Sequence, residues 1–142
     1  MSNFDDVGKF HQKFGLPYAP TQSSICDYIR RMPHHINKET QEYRLNFLQE
    51  EIEELIEAYR NGDLANIADA LVDIVYVAMG TAHLHNLPWQ ELWREVQRTN
   101  MKKERVRYID ESKRRSRLDV IKPKGWTPPQ IRAILSKYQD SE

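Results

Sequence analysis

Two acidic clusters carry the chemistry this chain can do: Glu50-Glu51-Ile52-Glu53-Glu54, and the pair Asp69 and Asp73 within the run Asn66-Ile67-Ala68-Asp69-Ala70-Leu71-Val72-Asp73-Ile74-Val75-Tyr76. The second run is apolar apart from its acids, as expected of a helix inside a protein, where an ionised carboxylate costs several kcal/mol unless a cation or hydrogen bonds compensate it. Nothing basic occurs between Asp63 and Gly80. Asp69 and Asp73 are therefore expected to face a partner, and carboxylates alone suit a hard divalent cation, Mg²⁺ or Mn²⁺.

The elements that must position these acids follow from periodicity. Asn66, Asp69, Asp73, Tyr76 and Gly80 fall on one stripe of a helix. On the preceding segment Leu45, Leu48, Ile52, Leu55, Ile56 and Tyr59 form an apolar face, with Phe47, Glu51, Glu54 and Ala58 on a stripe beside it. Glu50, Glu53 and Glu57 point elsewhere, toward water. Asn61-Gly62 offers a turn and Asp63 an N-cap, so helices over Lys38–Arg60 and Leu64–Leu84 should fold back as an antiparallel hairpin with the acidic stripes facing. Four carboxylates from two packed helices would then converge on one cation.

At these residues the chain resembles the MazG-like and phosphoribosyl-ATP pyrophosphohydrolase-like all-α nucleoside triphosphate pyrophosphohydrolases, whose signature is ExxE followed by ExxD. Glu51 to Glu54 matches the first half and Asp73 the end of the second. Ala70 stands three before Asp73 in place of the family's Glu, and Asp69, one residue earlier on the same helix face, is the nearest carboxylate. Three further segments resemble the family in the same order: Phe10-His11-Gln12-Lys13-Phe14-Gly15-Leu16-Pro17, Arg98-Thr99-Asn100-Met101-Lys102-Lys103, and Lys122-Pro123-Lys124-Gly125-Trp126-Thr127-Pro128-Pro129.

The resemblance implies an all-α helical bundle completed by oligomerisation, as homodimer or homotetramer, and metal-dependent cleavage of the α–β phosphate bond of a nucleoside triphosphate to monophosphate and pyrophosphate. It implies Glu51, Glu54, Asp69 and Asp73 as ligands of Mg²⁺, with Mn²⁺ the alternative. Glu50 or Glu54 would orient or deprotonate the attacking water. Asn100 and Lys103, with Arg98 and Lys102, would contact sugar or phosphates. Tyr76 and Trp126 are candidates for stacking a base, although aromatics at such positions more often pack. Phosphoribosyl-ATP hydrolysis is the alternative reaction. From a different class, a helical protein- or nucleic-acid-binding module would use Lys102 to Arg117, with eight Lys or Arg, and keep the acids as structural ion pairs.

Composition is consistent with a small helical enzyme. The 142 residues suggest one domain over 1–142, and 21 Lys plus Arg balance 21 Asp plus Glu, leaving no net charge to hold nucleic acid stably or to drive binding to an anionic membrane. Cys26 is the single cysteine and cannot form an internal disulfide; with no signal-like N-terminus and no apolar stretch read as spanning a bilayer, a cytoplasmic protein is expected. The pattern predicts an N-terminal helix to about Phe14 and a breaker from Gly15 to Pro20, followed by an ambiguous stretch from Ser24 to Ile36. Pro88 should open a third core helix carrying Trp89, Leu92, Trp93 and Val96 on one side, and Thr127-Pro128-Pro129-Gln130 should cap a last helix through Tyr138. No His pair has zinc-ligand spacing. His83, a turn beyond the acidic stripe, reads as a hydrogen-bonded structural histidine before a substrate contact.

Overall fold

A computed structural model describes residues 2–19 and 32–138. Cys26 and most of the ambiguous stretch lie outside them. The described chain is helical: α1 (Asn3–Lys13), α2 (Lys38–Arg60), α3 (Leu64–Leu84), α4 (Trp89–Asn100) and α5 (Ile131–Ser136), with a two-residue pair of strands, β1 (Glu104–Arg105) and β2 (Val120–Ile121). It divides into two compact units, one running to Pro88 and taking in Tyr138, the other from Trp89 to Lys137.

In the first unit, α2 and α3 begin and end where the hydrophobic period predicts. Asn37 caps α2 by accepting from the Thr40 amide at 2.8 Å. Gly62, at φ +61°, carries the turn, and Asp63 caps α3 through the Asn66 amide at 3.1 Å. Arg44 near the start of α2 reaches Thr81 near the end of α3, while Ala58 and Ala70 are buried toward the turn, so the pair runs antiparallel. α1, held at its start by a Ser2–Asp5 capping box, packs on α3. Thus α1 is the third helix of this unit, and α4, expected beside the hairpin, belongs to the second unit.

The face of α2 turned to α3 is Arg44, Glu51 and Ala58, all buried. The apolar face read from the sequence is instead open in the single chain: Leu45, Ile52, Ile56 and Tyr59 are exposed, as are Leu64, Leu71, Val72 and Val75 on α3. At 21 residues and a mean hydropathy of 1.4, α3 has the length and composition of a membrane span, contrary to the sequence reading. It packs on α1 and α2 with a polar face that meets Arg44 and Glu51, and 33% of its most apolar stretch is buried.

In the second unit, α4 packs against α5. α4 starts at Trp89, with Pro88 just outside it. α5 starts at Ile131 rather than at the Thr127 capping box and ends at Ser136; Gln130, in the N-cap position, makes no side-chain cap, and its amide donates to Glu95 at 3.0 Å. β1 and β2 pair antiparallel, Glu104 opposite Ile121 and Arg105 opposite Val120. The basic stretch around them is tied down by Arg107–Glu111, Arg114–Asp119 and Arg115–Asp110 ion pairs.

Candidate active site

A cavity of about 600 Å³ opens within the first unit, among α1, α2 and α3. Aromatic side chains wall it. Phe10 meets Tyr76 edge-on at 5.5 Å and Phe14 at 4.7 Å, and Tyr43 and Phe47 of α2 lie 6.0 Å apart. Glu51 and Asp73 contribute carboxylates, Arg44 a guanidinium and His11 an imidazole.

Glu51 is the unusual member. It is buried, and its Oε2 has no hydrogen-bond partner. Burial pushes its carboxyl above the ordinary range, and the neighbouring charges of Glu54, Asp73 and Glu50 push it further in the same direction. A buried, unpartnered oxygen among other carboxylates is unfavourable in the empty protein and suited to a hard cation. Among the described residues no three His, Cys, Asp or Glu side chains are grouped closely enough to enclose an ion by themselves. The convergence of four carboxylates on one cation, expected from the sequence, is thus not formed among the described residues of the single chain.

The four expected ligands divide between two hollows. Glu51 and Asp73 line the aromatic cavity; Glu54 and Asp69 line a second one of about 280 Å³ near the hairpin turn, with Glu57 and Asn66. Asp69 is exposed, so the need for a partner inferred from an all-round apolar helix does not apply to it in the single chain. Ala70, at the family's Glu position, is buried against α2. Glu50 is exposed beside Glu51.

Tyr76 lies in the cavity wall. The other substrate candidates are in the second unit. Arg98 is engaged, donating to both Glu95 oxygens at 3.0 and 2.7 Å, and these bonds with the Gln130 amide hold the Glu95 carboxyl down at about 2. Trp126 donates its indole N–H to the Thr99 carbonyl at 2.8 Å, with Lys103 and Lys122 over its ring at 5.5 and 4.9 Å. Its ring is a packing element with a cationic cover. Asn100 and Lys102 are exposed.

Sequence reasoning missed Arg44 and His11. Arg44 is buried; its Nε donates to Thr81 Oγ1 at 3.1 Å and its Nη2 to the Val77 carbonyl at 2.8 Å. It stands seven residues before Glu51 on the same face, a spacing readable in the sequence. His11 donates from Nδ1 to the Pro17 carbonyl at 2.7 Å, and burial lowers its pKa. His83 is structural, as expected: Nε2 donates to the Phe4 carbonyl at 2.8 Å, Nδ1 accepts from the Ala19 amide at 2.9 Å, and its ring stacks on Phe4 at 3.7 Å. Burial lowers its pKa to about 4.

The helical fold of the described residues is consistent with that of the MazG-like all-α nucleoside triphosphate pyrophosphohydrolases. The chain belongs to the phosphoribosyl-ATP pyrophosphohydrolase family, whose sequence model matches residues 7–100. It is also 32% identical over 87 residues to an uncharacterized protein, L479, of Acanthamoeba polyphaga mimivirus. That match covers 61% of this chain and 32% of the viral protein, so the chain spans about a third of the length of this relative.

Proposed function

We propose that this protein is a divalent-metal-dependent nucleotide pyrophosphohydrolase that cleaves the α–β anhydride of nucleoside triphosphates, giving monophosphate and pyrophosphate. The observation that carries the reading is Glu51: a buried carboxylate oxygen without a partner, beside Asp73, at an aromatic cavity. Glu51 and Asp73 would hold Mg²⁺ or Mn²⁺, with Glu54 adjacent and Asp69 reaching from the neighbouring hollow. When bound, the ion neutralises phosphate charge and acidifies water at its open positions. Glu54 or Glu50, both exposed, would take the proton from that water as it adds to phosphorus and pyrophosphate leaves. The aromatic walls would receive the base, with Tyr76 the candidate to stack on it. Phosphate contacts by Asn100, Lys103, Arg98 and Lys102 belong to this reading through their motif alone.

The description of the matching family favours phosphoribosyl-ATP as a second substrate reading, with the same bond broken. A second copy of the chain is the proposed cover for the exposed apolar face of α2 and α3, giving a homodimer or homotetramer. The deciding experiment measures pyrophosphate release from ribo- and deoxynucleoside triphosphates and from phosphoribosyl-ATP, with Mg²⁺ or Mn²⁺ and with EDTA. Metal-dependent pyrophosphate supports the reaction and ranks the substrates; orthophosphate in its place, or no turnover on any of them, rejects it.

A further inference from the structure

Arg44 is a buried cation whose positive charge no carboxylate meets within ion-pair distance among the described residues. Its Nε–H and one Nη2–H, which lie on one edge of the guanidinium, are used by Thr81 Oγ1 and the Val77 carbonyl. Those two bonds fix the plane of the group. The remaining N–H groups, on Nη1 and the other side of Nη2, form a second fork, which has the Tyr43 hydroxyl as a neighbour and meets no carboxylate among the described residues. Arg44 lines the aromatic cavity, and its guanidinium carbon lies 5.8 and 5.4 Å from the rings of Tyr43 and Phe47, which also line it.

Backbone and helix geometry make room for this group. A Cβ on Gly80 would stand 2.6 Å from Arg44 Nη2 and 3.0 Å from His11 Nε2, so only glycine lets both side chains occupy their positions. A fixed, partly unused donor fork against aromatic walls suits a flat, stacked ligand with acceptor atoms on its edge.

We propose that Arg44 reads the nucleobase in this cavity, its second fork, beside Tyr43, favouring an edge with two neighbouring acceptors. This deepens the function proposed above and rests on it for the identity of the substrate as a nucleotide. Guanine offers such an edge at O6 and N7, and cytosine at O2 and N3; adenine and thymine place no two acceptors side by side. Arg44 is thus assigned to the base, while Glu51, two helical turns further along α2, serves the phosphates.

The test is kcat/KM for dGTP, dCTP, dATP and dTTP with Mg²⁺, in the wild type and in Arg44→Gln, Arg44→Lys and Gly80→Ala. Binding of the four deoxynucleoside monophosphates in EDTA is measured alongside by calorimetry. Expected is a preference of about tenfold or more for dGTP or dCTP over dATP and dTTP, lost in Arg44→Gln and Gly80→Ala and partly kept in Arg44→Lys. Equal use of all four bases by the wild type overturns the proposal without any variant, as does a preference that survives in folded Arg44→Gln. It is also overturned if Arg44→Gln weakens inhibition by pyrophosphate as much as it raises KM, which would put Arg44 on the phosphates. Should no nucleotide be hydrolysed, the proposed reaction fails, and base-dependent binding of the monophosphates still decides the role of Arg44.

Discussion

Glu51 and Asp73 come to one cavity from opposite helices of a hairpin, and the charge of Asp73 adds to burial in holding the Glu51 carboxyl above its ordinary range. Asp73 thus makes Glu51 harder to ionise. Glu51 therefore carries the cost of the arrangement, which under the proposed function a bound cation would offset.

In EDTA, ionising Glu51 should cost stability. Its folded pKa is raised, so its contribution is fully present below the unfolded value of 4.5 and is lost as pH rises through the folded value. Glu51→Gln should accordingly melt higher than the wild type at pH 7 without metal and close to it at pH 4. Mg²⁺ should raise the wild-type Tm increasingly as pH rises and leave the variant unmoved. A wild type that gains nothing from metal at any pH would remove Glu51 from the ligand set.

Asp73→Asn keeps the shape and removes the charge. Turnover should fall by at least about a hundredfold, with helical circular dichroism unchanged. Retained activity at matched folding would show that Asp73 is not a ligand.

Asp69 is exposed in the hollow beside Glu54. Asp69→Ala should leave stability in EDTA within about 0.5 kcal/mol and raise the Mg²⁺ concentration needed for half-maximal rate. An unchanged metal titration would leave this family member with fewer carboxylate ligands than its relatives' motif supplies.

His83 imposes the opposite pH dependence to Glu51. Its pKa falls from 6.5 to about 4 on folding, so its contribution is present above pH 6.5 and lost as pH drops toward 4. The full loss is on the order of 3 kcal/mol, read as a Tm that declines over this window in the wild type and less in His83→Gln. Gly8→Ala should test the same packing, since the added Cβ would lie 2.9 Å from His83 Cε1 and should destabilise the protein by about 1–3 kcal/mol.

The open face of α2 and α3 should hold subunits together. Ile56→Glu, at a residue 44% exposed in the single chain, should shift the protein toward monomer in sedimentation while helicity is retained. A wild type that already sediments as monomer would reject self-association as the cover for this face.

The extent of the two hairpin helices could be read because their signals are local: a cap at Asp63, a glycine turn, and an apolar period that stops where each helix stops. The inward face of α2 could be read in part: Glu51 and Ala58, on the stripe expected to face α3, are buried, whereas Glu54 on the same stripe is exposed and Arg44 went unread. A 3.6-residue period marks Leu45, Ile52, Ile56 and Tyr59 as the apolar side, yet the inner side carries Arg44, buried for hydrogen bonds made to α3, and Glu51, whose Oε2 has no partner. Proximity across helices also hid the cavity, whose walls come from Phe10, Tyr43 and Tyr76, far apart in sequence. The late start of α5 escaped notice for a similar reason. Thr127-Pro128-Pro129-Gln130 has the composition of a cap, but the Gln130 amide finds Glu95, on a different helix.

Arg44 and Glu51 are seven residues apart on one rigid helix, a separation of about 10 Å along its axis. A helix does not stretch, so α2 acts as a caliper. Any ligand that engaged the guanidinium at one jaw and a carboxylate-bound cation at the other would have to match that gap. Length would then be screened along with chemical identity, and a ligand too short to span both jaws would secure only one of them.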